Sequence, residues 1–130
     1  MIMIKTPEQK WKESIINYRK KCQKILNVSN SIRYAGTINE YGRTLSGIIR
    51  PGKKPLLKSD QAKNEFFTIS TLNTLRKKSS STLGKLDYLL IKHQKVSVLV
   101  FQKNNITFYV TIESNEKNLS NIVDKIKKII

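Results

Sequence analysis

Apolar residues recur at steps of three and four along the first segment of the chain, which predicts an amphipathic helix. Its start is marked by Thr6, which can serve as the N-cap, by Pro7 at the first helical position, and by Gln9, which completes a capping box. The helix is expected to end near Asn27. Its apolar face is formed by Trp11, Ile15, Tyr18, Cys22, Ile25 and Leu26.

Two further segments have the same period and predict a second and a third helix. The second begins at Ser59 or Asp60, either of which can cap it, and ends near Arg76. The third is capped by Ser114 or Asn115. The apolar faces are formed by Ala62, Phe66, Ile69, Leu72 and Leu75 in the second helix, and by Leu119, Ile122, Val123, Ile126 and Ile129 in the third.

Between the first two helices the apolar period changes to two, which predicts a hairpin of strands 32–38 and 44–50. Asn39 and Gly42 in the loop favour a three-residue turn with a left-handed glycine and a bulge. A two-residue turn would place Gly36 opposite Gly47, and the register stays open. Glycines inside strands indicate either a ligand close to the sheet or a tightly packed helix. The helix is the preferred interpretation, and no pocket is predicted.

Strands 85–92, 95–102 and 106–113 form a predicted antiparallel meander. The middle strand is apolar on nearly every residue from Val96 to Phe101, which implies that helices cover both faces of the sheet. The Pro- and Gly-rich segment 51–55 is too short to divide two domains, and segment 79–84 is a polar loop. The sequence therefore predicts one α/β (α+β) domain, residues 1–130, with the order α-ββ-α-βββ-α.

Composition agrees with a folded domain, because 38% of the 130 residues are apolar and 26% are charged. A lone cysteine, Cys22, cannot form an internal disulfide, which favours a reducing compartment. The N-terminal apolar run, residues 1–4, is too short for a signal peptide, and no segment approaches the roughly 18 apolar residues of a membrane span. A cytoplasmic location is expected.

Residues suited to catalysis are scarce. The single histidine, His93, is predicted in an exposed turn between two lysines, and the nine acidic residues are scattered. No phosphate-binding loop, CxxC pair or metal-ligand spacing is present in the sequence. The chain is therefore expected to be a binding protein without a cofactor.

The element order, the turn Asn39-Glu40-Tyr41-Gly42-Arg43 and the meander running into a short terminal helix together resemble the roadblock family of dynein light chains. The strongest local match covers residues 86–91, 96–101, 108–112 and 118–119. The chain is also similar to archaeal families that carry this fold. The resemblance implies a five-stranded antiparallel sheet between helices, an edge-to-edge homodimer, and service as a platform for a small GTPase or another signalling protein. Profilin-like, longin and PAS-type sensor domains share similar elements, so a ligand sensor is a further possibility.

Roadblock topology places strand 86–91 at an edge of the sheet, where its large apolar groups need a cover that a symmetric dimer supplies. Two adjacent phenylalanines of the second helix point about 100° apart, so one of them can join this contact. A broad apolar face in a monomer is the alternative. The residues expected at the dimer edge are Leu86, Tyr88, Leu89, Leu90, Ile91, Phe66 and Phe67.

Twenty-five Lys and Arg against nine Asp and Glu give a net charge of +16, which predicts attraction to polyanions or serves solubility alone. Two basic groups can form one patch: Arg50, Lys53, Lys54 and Lys58 in the loop, and Arg76, Lys77 and Lys78 at the end of the second helix. The helix dipole explains the second group, whereas nothing in the sequence explains the first. A basic nucleic-acid- or ribosome-associated protein is therefore the alternative function.

Overall fold

Five strands form one antiparallel sheet in the computed structural model, which describes residues 4–130. Residues 1–3, the start of the N-terminal apolar run, lie outside the described residues. The elements are α1 (Pro7–Leu26), β1 (Ile32–Ile38), β2 (Thr44–Ile49), α2 (Ser59–Lys77), α3 (Ser80–Leu83), β3 (Leu89–Lys92), β4 (Val96–Lys103), β5 (Ile106–Glu113) and α4 (Leu119–Ile129). The strands lie in the order β2-β1-β5-β4-β3. The predicted fold class and sheet are confirmed.

Helices cover both faces of the sheet. Helices α1 and α4 enclose the larger core, which includes Cys22, Ile25, Ile32, Leu99, Val110, Ile112 and Ile126. Helix α2 encloses a smaller core on the opposite face, formed by Ile38, Phe66, Ile69, Val98, Val100 and Tyr109. Strand β4, which lies between β5 and β3, contributes to both cores, and this explains its continuous apolar sequence. Among residues 4–130, no helix combines the length and apolar composition needed to cross a membrane.

The start of α1 has the predicted capping box. Thr6 Oγ1 accepts a hydrogen bond from the Gln9 amide at 3.2 Å, and Gln9 Oε1 accepts one from the Thr6 amide at 2.9 Å. The predicted apolar face is packed only in its C-terminal part, where Cys22 is the first fully buried residue. Trp11 is 55% exposed, because the first turns of α1 contribute nothing to the core.

The turn between β1 and β2 is the three-residue turn favoured above. Asn39 N donates to Arg43 O at 2.9 Å, and Gly42 has the left-handed φ of 82°. A bulge in β2 at Leu45 then shifts the register by one residue, so that Gly36 lies opposite Gly47 after all. The sequence pattern offered the three-residue turn and the Gly36–Gly47 pairing as alternatives, and the bulge allows both.

The starts of two other helices differ from prediction. Helix α2 begins at Ser59 with Lys58 as N-cap, and Gln61 Oε1 accepts from the Lys58 amide at 2.9 Å, so the predicted caps are wrong by one or two residues. Helix α4 begins after Asn118, because Ser114 lies in a turn that follows β5. The predicted polar loop 79–84 contains the one-turn helix α3.

The buried face of α2 also departs from the predicted apolar face. Ser70 and Asn73 are buried, whereas Leu75 is 52% exposed. The reason is a polar contact, since Asn73 Nδ2 donates to Thr107 Oγ1 of β5 at 2.9 Å. This contact turns a polar side of the helix towards the sheet and leaves apolar side chains outside.

Candidate binding surfaces and an internal cavity

Strand β3 forms one edge of the sheet, with β4 as its neighbour on the inner side. Leu89 and Ile91 are half-buried against the α2 core, while Leu90 on the opposite face is 45% exposed. The outer backbone groups of β3 have no strand beside them among the described residues, and such an edge can pair with another chain. The strand has four residues, half the length predicted for 85–92.

The segment before β3 is held against the α4 layer. The ring of Tyr88 lies over Phe101, with 6.0 Å between centroids and an interplanar angle of 26°. Lys127 Nζ lies 5.8 Å from the Tyr88 ring centroid and donates to Asp87 Oδ2 at 2.6 Å. Tyr88 and Leu86, each 37% exposed, therefore lie beside the edge strand rather than in it as predicted.

The two adjacent phenylalanines of α2 have different roles. Phe66 is buried, with its ring centroid 5.0 Å from that of Tyr109 and 6.5 Å from that of Tyr34. Phe67 is 63% exposed and lies on the side of the helix next to the β1–β2 turn, where a Cβ atom on Gly42 would be 2.8 Å from its backbone. Of this pair, Phe67 alone is available for contact with another protein, and Phe66 is a core residue.

The outer surface of α2 carries no charge over most of its length. Between Lys63 and Arg76 the one charged residue is Glu65, whose carboxylate accepts a hydrogen bond from Tyr109 Oη of β5 at 2.9 Å. The exposed residues of this segment are Asn64, Phe67, Thr68, Thr71, Thr74 and Leu75. Interface centres are depleted of charged residues, and this surface has that composition in a chain of net charge +16.

Arg50 has a structural role that the sequence did not reveal. Its Nε donates to Ile32 O at 2.6 Å, and its Nη2 donates to Leu26 O at 2.5 Å and to Ser29 O at 2.8 Å. These carbonyls belong to the end of α1 and the connection to β1, and helix ends need such partners. Folding therefore explains Arg50, which the sequence alone left unexplained.

Lys53 is also engaged. Its Nζ lies 3.0 Å from Glu113 Oε1, and Arg33 Nη1 lies 2.9 Å from the same oxygen. The hydrogen bond from Lys53, together with the charge and hydrogen bond of Arg33, lowers the pKa of Glu113. Arg33 Nη2 also donates to Lys54 O at 3.1 Å, which fixes the loop to β1.

The two basic groups do not form one patch. Lys58 is the N-cap of α2 and Lys78 is its C-cap, with the 19 residues of the helix between them. A helix of that length separates its ends by about 28 Å. The Arg76–Lys78 group lies near the β4–β5 turn instead, where Lys77 Nζ donates to Asn105 Oδ1 at 2.9 Å.

A cavity of about 490 Å³ lies between the loop that precedes α2, the first turns of α2 and the sheet. Its walls are mostly apolar and aromatic, formed by Tyr34, Ile49, Pro55, Leu56, Leu57, Ala62, Phe66, Val96, Val98 and Tyr109. Its polar lining comes from Arg33, Lys54, Glu65, His93 and Thr111. The sequence predicted no pocket, so the cavity is a correction.

Tyr34 explains the two strand glycines. A Cβ atom on Gly36 or on Gly47 would clash with the Tyr34 hydroxyl, because the ring lies across both residues. The predicted reason, a helix packed on the glycines, is therefore wrong at the atomic level. Burial raises the pKa of Tyr34 to about 12, so its hydroxyl keeps its proton at neutral pH.

Known proteins resemble this chain in fold but not in sequence. The sequence matches no protein-family model and no curated protein. A roadblock/LC7 domain from Streptomyces avermitilis superposes with a TM-score of 0.66 at 10% identity, covering 85% of this chain and 89% of that chain. The gliding protein MglB from Thermus thermophilus superposes with a TM-score of 0.71 at 10% identity, covering 99% of this chain and 89% of that chain. This chain has the roadblock fold. A structure described as MglB with a tetrameric arrangement superposes with a TM-score of 0.68 at 12% identity, covering 99% and 88% of the two chains.

The roadblock fold accounts for the position of β3. The third strand lies at the sheet edge, as the resemblance implied, and α2 packs on the face beside it. His93 lies in the β3–β4 turn, where its amide donates to Val96 O at 2.9 Å, and its exposed ring is at the rim of the cavity. Cys22 is fully buried 3.7 Å from Ser46 Oγ, and burial raises the pKa of its thiol.

Proposed function

We propose that this chain is a non-catalytic homodimeric binding module that carries a second protein, a small GTPase or another signalling protein. The observation that supports the dimer is the combination of an open strand edge at β3 with the uncharged outer surface of α2. Leu89 and Ile91 of β3 pack against the core beneath α2, so the helix lies on the face of the sheet that adjoins this edge. Phe67 lies on the side of α2 that contacts the β1–β2 turn, away from β3. A two-fold axis beside β3 would pair the two edges and bring the two α2 surfaces together.

A protein of similar fold associates with itself, which supports a test of self-association in this chain. One structural neighbour is described as MglB with a tetrameric arrangement, and that protein therefore assembles with itself. The partner class, a small GTPase or another signalling protein, rests on the resemblance to the roadblock family. Two observations disfavour the alternative function of nucleic-acid binding: Arg50 is used in folding, and the basic groups lie at opposite ends of α2.

Full burial of Phe67 sets an upper limit on the energy that the outer surface of α2 can contribute to the proposed dimer. A phenylalanine offers roughly 200 Å² of surface, and 63% of that of Phe67 is exposed, so full burial removes about 125 Å² from water. This burial contributes about 3 kcal/mol per protomer and about 6 kcal/mol per symmetric dimer as an upper limit. Even one third of this limit, about 2 kcal/mol, changes the dissociation constant about 30-fold.

Sedimentation equilibrium of the wild type, Phe67→Lys and Trp11→Lys tests the dimer. Trp11→Lys is the matched control, because it replaces an aromatic residue of similar exposure on the other layer and adds the same charge. We expect wild type and Trp11→Lys to dimerise at tens of micromolar, and Phe67→Lys to be monomeric. A wild type that stays monomeric there refutes the dimer.

The partner needs a separate experiment. Tagged wild-type chain is used to capture proteins from the native lysate, with and without nuclease, and Phe67→Lys is run alongside. A protein retained after nuclease, and retained less by Phe67→Lys, supports a platform that works as a dimer. Capture of nucleic acid alone contradicts the proposed function and favours the basic nucleic-acid binder.

A further inference from the structure

Polar groups without partners line the cavity beneath the loop before α2. Glu65 accepts from Tyr109 Oη through Oε2, and its Oε1 has no hydrogen-bond partner among residues 4–130. The hydroxyl of Tyr34 likewise has none in this part of the chain, although it is a donor. Glu65 is half-buried and lines the cavity, so its free carboxylate oxygen can accept an N–H group from a ligand there.

Glu65 forms no ion pair with the described residues in spite of the high positive charge of the chain. Burial, then the charge and hydrogen bond of Glu65, raise the pKa of Tyr109, so Tyr109 stays a donor to this carboxylate. The carboxylate is thus positioned by Tyr109 on one oxygen and open on the other.

The walls of the cavity suit a flat apolar body. Tyr34, Phe66 and Tyr109 form an aromatic cluster on one side, with ring centroids 5.0 to 6.5 Å apart. Leu56 and Leu57 line the mouth and are 53% and 38% exposed, so a ligand there would cover apolar surface that is now in water. The volume of about 490 Å³ is within the range of small-molecule sites.

The mouth of the cavity is basic. Lys54 is exposed there, and its Nζ makes no ion pair or hydrogen bond with the described residues. His93 lies on the same rim, and Arg33 lines it while paired with Glu113. A ligand whose aromatic end occupies the cavity would place its other end beside Lys54 and Arg33, which favours an anionic group.

We propose that this cavity binds a small molecule that combines a flat aromatic body, an N–H donor for Glu65 and an anionic group for Lys54, the chemistry of an adenine nucleotide. Phe67 is not part of the cavity lining, and neither are the β3 residues Leu89–Lys92, although His93 directly follows β3. Binding is therefore expected to persist in Phe67→Lys, and failure of either proposal leaves the other testable.

Calorimetric titration tests the ligand class part by part. The probes are AMP, adenosine, which lacks the anionic group, and ribose 5-phosphate, which lacks the aromatic body. We expect saturable binding of one AMP per protomer, at least tenfold weaker binding of adenosine, and no binding of ribose 5-phosphate. Absence of saturable AMP binding at millimolar concentration overturns the proposal, as does equal binding of ribose 5-phosphate, which indicates non-specific attraction of anions to a chain of charge +16.

Substitutions in the cavity test which side chains contact each part of the ligand. Glu65→Gln keeps an acceptor for Tyr109 but presents an amide donor at the open position, so AMP and adenosine should both bind about tenfold more weakly. Lys54→Ala should weaken AMP about tenfold and leave adenosine unchanged. Lys78→Ala, which removes the same charge at the other end of α2, should leave AMP unchanged. Equal effects of Lys54→Ala and Lys78→Ala contradict the proposed site, and thermal unfolding of each variant checks that it is folded.

Discussion

Replacement of Arg50 separates a structural role for this residue from a role in binding. Arg50→Ala removes three hydrogen bonds from a guanidinium to the carbonyls of Leu26, Ser29 and Ile32. A hydrogen bond to a charged group contributes roughly 1.5–3 kcal/mol, but this side chain is half-buried and water replaces part of the loss. We therefore expect a loss of about 3 kcal/mol in the free energy of unfolding, and about half of that for Arg50→Lys, which keeps the charge but not the fork of donors.

Urea unfolding followed by circular dichroism measures this loss, at one fixed protein concentration because dimerisation would add to stability. For a domain of this size, about 3 kcal/mol corresponds to a fall of roughly 10 °C in Tm. Lys54→Ala is the control from the same loop, and it should change stability by less than about 0.5 kcal/mol. If Arg50→Ala is as stable as Lys54→Ala, the role assigned to Arg50 is refuted.

Two further substitutions test the packing of Tyr34 and the ion pairs of Glu113. Gly47→Ala should lower the free energy of unfolding by about 1–3 kcal/mol, because the new Cβ atom clashes with the Tyr34 hydroxyl. In the Tyr34→Phe background the same substitution should cost much less. If urea unfolding shows that the effects of the two substitutions simply add, this explanation is contradicted. The pKa of Glu113 is lower in the folded state than in the unfolded state, where it is about 4.3. Ionised Glu113 therefore stabilises the fold above about pH 4.3, and this stabilisation is lost as the pH falls through the pKa of the folded state. Wild type should therefore exceed Glu113→Gln in stability near pH 6, and the difference should narrow below pH 4; a constant difference would refute the contribution.

Local signals predicted most of the fold. The capping box at Thr6, the asparagine and glycine of the β1–β2 turn and the apolar strand β4 each depend on residues close in sequence, and each is present. The edge position of β3 came from the resemblance to the roadblock family, since strand order in a sheet depends on contacts between distant segments.

Contacts between distant segments account for what sequence patterns missed. Asn73 faces the sheet because Thr107, 34 residues away, receives its hydrogen bond, and this turns Leu75 outwards. Arg50 reaches carbonyls that are 18 to 24 residues away. The strand glycines were the one sequence signal near the cavity, and only the fold brings Gly47 together with Leu56 and Leu57 in its lining.

The distance between the two copies of β3 tests the proposed dimer most directly. A nitroxide on Lys92→Cys reports that edge, a nitroxide on Glu40→Cys reports the opposite side of the sheet, and buried Cys22 will not react. Because β3 has four residues, pairing about a two-fold axis keeps the two Lys92 Cα atoms within about 20 Å, and three strand spacings on each side separate the Glu40 labels by more than about 35 Å. Pulsed electron spin resonance should therefore give a label distance below about 30 Å at Lys92 and a longer one at Glu40. The reverse order, or no short distance at Lys92 in a sample that sediments as a dimer, would contradict pairing through β3.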